Sequence, residues 1–234
     1  MTSSDIQERL RKLADPVIAE HSSRFFKTGE GEYGDGDQFL GIRVPLLRAH
    51  VREFQHISLT EIRELLRSRF HEERLFALYL LVRKYEKGSE DERQSIYNFY
   101  FDNLKFVNNW DLVDSSAPYI VGPWLEARNK ACLYKLARSG NLWERRVAII
   151  STFYFIRNNS FNDALRISLL LKHDSEDLIH KAVGWMLREI GKRDAAVEKA
   201  FLKEHYKDMP RTMLRYAIER FPENERKRYL KGLA

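Results

Sequence analysis

The sequence has a single cysteine among its 234 residues, Cys132. One thiol excludes an internal disulfide and any multi-cysteine zinc site. It sits in the apolar run Ala131-Cys132-Leu133-Tyr134, so it reads as a small core residue and not as a nucleophile. No uninterrupted apolar stretch is long enough to span a bilayer, and the opening Met1-Thr2-Ser3-Ser4-Asp5 lacks a signal-peptide pattern. Both absences point to a cytoplasmic protein with no membrane partner. His50, His71 and His173 form no metal-ligand spacing and read as surface or packing residues, so no metal is expected. Extended, alternating runs are scarce, which leaves little room for a sheet.

What is present is charge and apolar content in balance. With 44% hydrophobic and 32% charged residues, a packed core is expected and disorder is not. The length suits one domain or two small ones. Lys and Arg exceed Asp and Glu by 40 to 34, a net charge of +6, which favours a polyanion partner, nucleic acid first.

Nearly everything after Val44 carries helical periodicity. Apolar residues recur at three and four in Ile62/Leu65/Leu66, Leu75/Leu78/Tyr79/Val82, Ile149/Phe153/Ile156 and Ile179/Val183/Met186/Ile190. Gly88, Gly140 and Gly191 lie at or near the ends of such runs. Thr28 to Gly41 is the exception, because five of the eleven glycines lie there. That density specifies turns with positive φ, so the segment reads as a loop or a short β-hairpin with Tyr33 near its tip. No Gly-Lys-Ser/Thr follows it, so it is not a phosphate-binding P-loop.

Arg74, Trp110, Arg146, Lys181 and Arg215 follow one another at spacings of 36, 36, 35 and 34 residues, each followed by an apolar helical run. This is the mark of a helix-hairpin repeat. The expected fold is all-α: residues 1–234 as a single HEAT-like solenoid domain with a concave basic face, and 28–41 as an insertion. Equivalent positions of stacked repeats line one face, so the column is a basic stripe interrupted by Trp110. Four residues further on, Asp114 and Trp185 occupy equivalent slots. Trp110 and Asp114 share one helix face, and Trp110, Asp114 and Trp185 can therefore face one cleft. Arg145, Arg146, Lys181, Arg188, Lys192, Arg193, Arg211 and Arg215 supply the charge that would grip phosphates without reading sequence. The bland readings are a tryptophan core and a solvated face of ion pairs. Asp111, in a first helical turn, reads as a carboxylate favouring the helix dipole.

Four stretches then carry a resemblance. N-N-W-D-L-V-D-S at 108–115, L-W-E-R-R-V-A-I-I at 142–150, H-K-A-V-G-W-M-L-R-E at 180–189 and F-L-G-I-R-V-P-L-L-R at 39–48 together resemble the AlkD-type DNA alkylation-repair family, the HEAT-like-repeat DNA glycosylases. The resemblance implies roles position by position. Trp110 and Asp114 match that family's tryptophan and catalytic aspartate, and Trp185 its second active-site tryptophan. Arg146 matches its DNA-contacting arginine and Arg188 a backbone-binding arginine.

The implied reaction is hydrolysis of the N-glycosidic bond of cationic N-alkylpurines such as 7-methylguanine and 3-methyladenine in double-stranded DNA, without metal or organic cofactor. A purine already cationic leaves without a general acid, so one carboxylate supporting an oxocarbenium-like sugar suffices. The glycine-rich segment departs from the shorter pattern before F-L-G. It resembles a branch of the family in which this segment projects as a β-hairpin, and some members of that branch resemble binders of branched DNA. A non-enzymatic binder of branched or distorted DNA using Tyr33 and its loop is therefore the alternative, and a scaffold for an acidic protein the third reading. A continuous solenoid is expected to be a monomer.

Overall fold

In the computed structural model, which describes residues 2–234, the chain is all-helical; among the described residues the sole β contact is an isolated parallel bridge between Gln38 and Phe70. The chain divides into two compact units, one ending at Ile120 and the other running Val121–Ala234. No helix among the described residues is long and apolar enough to cross a membrane.

The first unit contains α1 (Ser3–Arg11), α2 (Pro16–Phe25), α3 (Val44–His50), α4 (Leu59–Leu66), α5 (His71–Lys87), α6 (Glu90–Asp102) and α7 (Trp110–Asp114). The division falls within α8 (Ala117–Leu125). At the centre is α5, whose run L-F-A-L-Y-L-L is apolar on several faces. A helix apolar nearly all round must be buried, and α5 packs against α3, α4, α6 and α7. Its first eight residues, His71 to Leu78, are all buried, the charged ones included. Side-chain caps mark where the neighbouring helices begin. Ser58 accepts from Glu61 N at the start of α4, and Ser89 with Glu92 forms a capping box on α6.

The second unit contains α9 (Ala131–Leu136), α10 (Leu142–Arg157), α11 (Asn162–Leu171), α12 (Asp177–Gly191), α13 (Ala195–His205), α14 (Arg211–Ala217) and α15 (Glu223–Lys231). The pairs α9–α10 and α11–α12 are successive helical hairpins, as the repeat spacing predicts, and α13 and α14 follow them in the chain, each packed on α12. Arg146, Lys181 and Arg215 fall at the fifth residue of α10, α12 and α14 respectively. The middle helix, α12, packs against α10, α11, α13 and α14, with Ile179, Val183, Met186, Leu187 and Ile190 fully buried. Each such side chain contributes roughly 1.5–3 kcal/mol. Gly184 makes the α12–α14 approach possible, since a Cβ there would collide with the Met213 carbonyl oxygen.

The glycine-rich segment takes the loop form and not the hairpin. It is a chain of turns, with Glu32 N donating to Gly29 O, Asp35 N to Glu32 O and Asp37 N to Gly34 O. Gly31 and Gly36 take the positive φ that the glycine content calls for. Gly34 is needed for space, because a Cβ would strike the Phe26 carbonyl. The end of the segment pairs with the start of α5 and not with itself: Gln38 N donates to Arg69 O, and His71 N to Gln38 O.

Candidate functional site

Helix α7 is five residues long, with Trp110 at its first position and Asp114 at its last. Both are half-buried, while Leu112 and Val113 between them point into the core. The spacing therefore does what the sequence predicts, putting ring and carboxylate on one partly open face. Trp110 leans on aromatic rings contributed by the end of α2. Phe26 stacks on it at 5.2 Å and 14°, and Phe25, itself exposed, meets it edge-on at 6.0 Å. Asp114 lies close enough to the buried Tyr100 that its charge adds to the burial that pushes that hydroxyl's pKa up. The Tyr100 hydroxyl lies 3.0 Å from Ser116 Oγ, which donates to Leu112 O at 2.6 Å.

Beneath α7 lies a polar cluster that sequence reasoning missed. His71, 2% exposed, sits between two carboxylates: its Nδ1 is 3.1 Å from Asp37 Oδ2 and its Nε2 2.7 Å from Asp111 Oδ2. Arg74 donates to the other Asp37 oxygen at 2.6 Å, and Asn109 Nδ2 donates to Asp37 Oδ2 at 3.1 Å. Burial disfavours a charged imidazole, but the charge of Asp111 and the hydrogen bonds to Asp111 and Asp37 outweigh it, so the His71 pKa is raised to about 9. For Asp37, burial is likewise outweighed by the His71 hydrogen bond and the Arg74 and His71 charges, and its pKa is lowered.

His71 is thus a buried cation and Asp111 its partner; the histidine's packing reading understates it, and the helix-dipole reading of Asp111 omits the contact. The neighbouring Glu72 explains the F-L-G-I motif. Its carboxylate accepts the backbone N–H groups of Leu40 at 2.8 Å, Gly41 at 2.8 Å and Ile42 at 3.2 Å. The signal for all of this was H-E-E-R opening a helix whose following run, L-F-A-L-Y-L-L, is apolar on several faces. Four polar residues that must be buried need partners.

In the second unit Trp185 is half-buried, 5.7 Å from the Phe153 ring, with its indole N–H donating to Glu189 Oε1 at 3.0 Å. The basic residues around it are mostly engaged by acids. Arg145 binds Asp174 at 2.6 Å, Lys181 binds Asp177 at 2.8 Å, Lys192 binds Glu189 at 2.6 Å and Arg188 pairs with Glu219. Arg146 is 5% exposed and donates to the Leu178 carbonyl at 2.6 Å. Arg193 and Arg215 are exposed, and among the described residues no acid pairs with their side chains. Tyr33, in the first unit, is half-buried, its hydroxyl 3.4 Å from the Phe25 carbonyl.

The helical-repeat fold and the half-buried Trp110 and Asp114 on one short helix are what a comparison with known families has to account for. Residues 6–221 match the profile of a family described as DNA alkylation repair enzyme, and the chain belongs to that family. Three solved structures share the fold. One, described as a predicted DNA alkylation repair enzyme from Enterococcus faecalis, is 19% identical with a TM-score of 0.70 over 90% of this chain and 97% of its own. AlkD2 from Streptococcus mutans is 19% identical with a TM-score of 0.53 over 87% and 97%. The smu.31 protein from Streptococcus mutans UA159 is 19% identical, with a TM-score of 0.52 over 88% and 100%. No curated protein matches the chain. Membership of this family makes the protein one of DNA repair, with DNA as its partner.

Proposed function

We propose that the protein is a DNA glycosylase that removes cationic N-alkylpurines, 7-methylguanine and 3-methyladenine among them, from double-stranded DNA. The observation that carries the reading is the pairing on α7. A tryptophan face and a carboxylate stand one turn apart, both half-exposed and both on an element anchored from below.

The chemistry asks little more. Alkylation at N7 or N3 leaves a positive charge on the base, so the C–N bond breaks with its electron pair going to an already cationic purine. The deoxyribose is left oxocarbenium-like. Asp114 stabilises that charge and orients the water that adds to the sugar. Trp110 offers its π-face to the same developing cation, and Trp185 is proposed as the second tryptophan of the site. Arg146, Arg188, Lys181, Arg145, Lys192 and Arg215 supply phosphate contacts. Arg215 is open already, whereas Arg188 and Lys192 exchange Glu219 and Glu189 for phosphate oxygens. For Arg146, a phosphate contact requires leaving or sharing the Leu178 carbonyl.

The test is release of 7-methylguanine from methylated duplex DNA by the native protein and by Asp114→Asn. Release that the substitution largely removes supports the reading. Tight DNA binding without release by the native protein overturns it and favours the branched-DNA binder, with Tyr33 and its loop the next target.

A further inference from the structure

We propose that His71 is a positioning residue for this site: bridged between Asp37 of the glycine-rich loop and Asp111 of α7, it sets the helix on which Trp110 and Asp114 stand. The effect on rate rests on the glycosylase reading; the effect on α7 does not.

A five-residue helix cannot hold its own orientation. One turn costs more in fixed dihedrals than its hydrogen bonds return. The direction of α7 is therefore imposed from outside. Leu112 and Val113 bury its inner side but do not fix its rotation. The polar ties do. Asn109, fully buried, caps the helix by accepting from Trp110 N at 2.8 Å while its amide donates to Asp37. Asp111 holds His71 at 2.7 Å with one oxygen and accepts Leu112 N at 2.8 Å with the other. Both ties converge on the Asp37–His71 pair.

His71 is itself immobile. It is the first residue of α5, its backbone N–H donates to Gln38 O at 2.8 Å, and its ring lies against Phe39 at 4.7 Å and Phe26 at 4.8 Å. Phe26 is the ring that stacks on Trp110. Polar and aromatic routes thus both run from His71 to the α7 face.

The arrangement needs a histidine that donates twice. Neutral imidazole carries one N–H, and two carboxylates ask for two. The charged groups facing His71 are Asp37 from the loop, Asp111 from α7 and Arg74 from its own helix. Loss of the imidazolium proton leaves either Asp37 or Asp111 against a bare lone pair. The glycine-rich loop thereby gains a role distinct from touching DNA, as the strap that presents Asp37.

The experiment uses the full chain with His71→Gln and with Asp111→Asn, each first checked for cooperative thermal unfolding. Two readouts follow. The first is 7-methylguanine release under single-turnover conditions with saturating protein, alongside DNA affinity. The second is the fluorescence of Trp110, taken as the difference between each chain and the same chain carrying Trp110→Phe, titrated from pH 7 to 10.5.

The expected result is a rate lowered about tenfold or more in both variants with affinity nearly unchanged, since small misplacement of reacting groups costs rate more than binding. The Trp110 signal of the native chain should shift near pH 9, as the raised His71 pKa requires. That transition should vanish in His71→Gln and move to lower pH in Asp111→Asn. Folded variants that release base at the native rate, or a Trp110 signal flat across the titration, would overturn the proposal. If His71→Gln does not fold, Asp111→Asn and the native titration decide. If the native chain releases no base, the glycosylase reading fails, and the fluorescence alone judges the positioning.

Discussion

Asp114 and Trp110 owe their half-open positions to what lies between them. Leu112 and Val113 take the inward direction, which leaves positions one turn apart on the open side. This was legible in the sequence, because helical spacing is local information. The same is true of Trp185, whose neighbour Gly184 has a separate task. Gly184→Ala drives a methyl into the Met213 carbonyl at the contact between two helices. Overpacking of that kind costs about 1–3 kcal/mol, so the variant should unfold several degrees earlier in a thermal melt; an unchanged midpoint would mean that α14 yields. His71 could not be placed the same way. Its partners stand 34 and 40 residues away along the chain. No periodicity in one sequence pairs residues at such distances, and a lone histidine without ligand spacing looks inert.

The start of α5 is the element on which the first unit turns. His71, Glu72, Glu73 and Arg74 are all buried, and together they tie down several segments: His71 holds α7 and shares Asp37 of the glycine-rich loop with Arg74, Glu72 holds the F-L-G-I backbone, and Glu73 binds α1. Breaking a buried charge network by removing one partner costs more than the pair contributes on its own. Glu72→Gln replaces one acceptor oxygen by a donor facing the Leu40–Ile42 amides. A loss of about 1–3 kcal/mol is expected, together with faster amide exchange at Leu40, Gly41 and Ile42; unchanged exchange there would show that the carboxylate does not hold the motif.

The network also gives stability a pH dependence with a definite sign. The His71 pKa is raised in the folded state from 6.5 to about 9. Its contribution is fully present below the unfolded value and is lost as pH rises through the folded one. Thermal stability should therefore decline between pH 6.5 and 9, by on the order of 3 kcal/mol at most, and His71→Gln should flatten that decline. A native protein equally stable at both pH values would contradict the network. The glycine-rich loop belongs to this scale too. Its turns were readable from glycine content, but its partner was not: backbone pairing goes to Arg69 and His71 because the start of α5 offers fixed acceptors and donors.

For the molecule as a whole, the all-α class and the hairpin repeats followed from periodicity and spacing, and the structure has both. The net charge of +6 was read as a phosphate-gripping stripe. Much of that stripe is engaged by acids: Arg145, Lys181, Arg188 and Lys192 each have a carboxylate partner. Net charge does not reveal pairing: Lys181 meets Asp177 one turn away on α12, whereas Arg145 of α10 meets Asp174 in the loop before α12, 29 residues along the chain. DNA affinity should still fall steeply with salt, the signature of counterion release. Arg215→Ala should lower the salt slope by about one phosphate equivalent. Arg188→Ala should do so by less, since its exchange of Glu219 for phosphate returns part of what it gains. A slope indifferent to both would place the DNA elsewhere.

The most direct measurement of the central claim is single-turnover release of 7-methylguanine from a duplex carrying one lesion, with DNA affinity measured in parallel. The native chain should release the base, and Asp114→Asn should lose about a hundredfold or more of that rate, with affinity changed little. Release that survives the substitution would remove Asp114 from the chemistry, and no release from a tightly bound duplex would contradict the glycosylase itself.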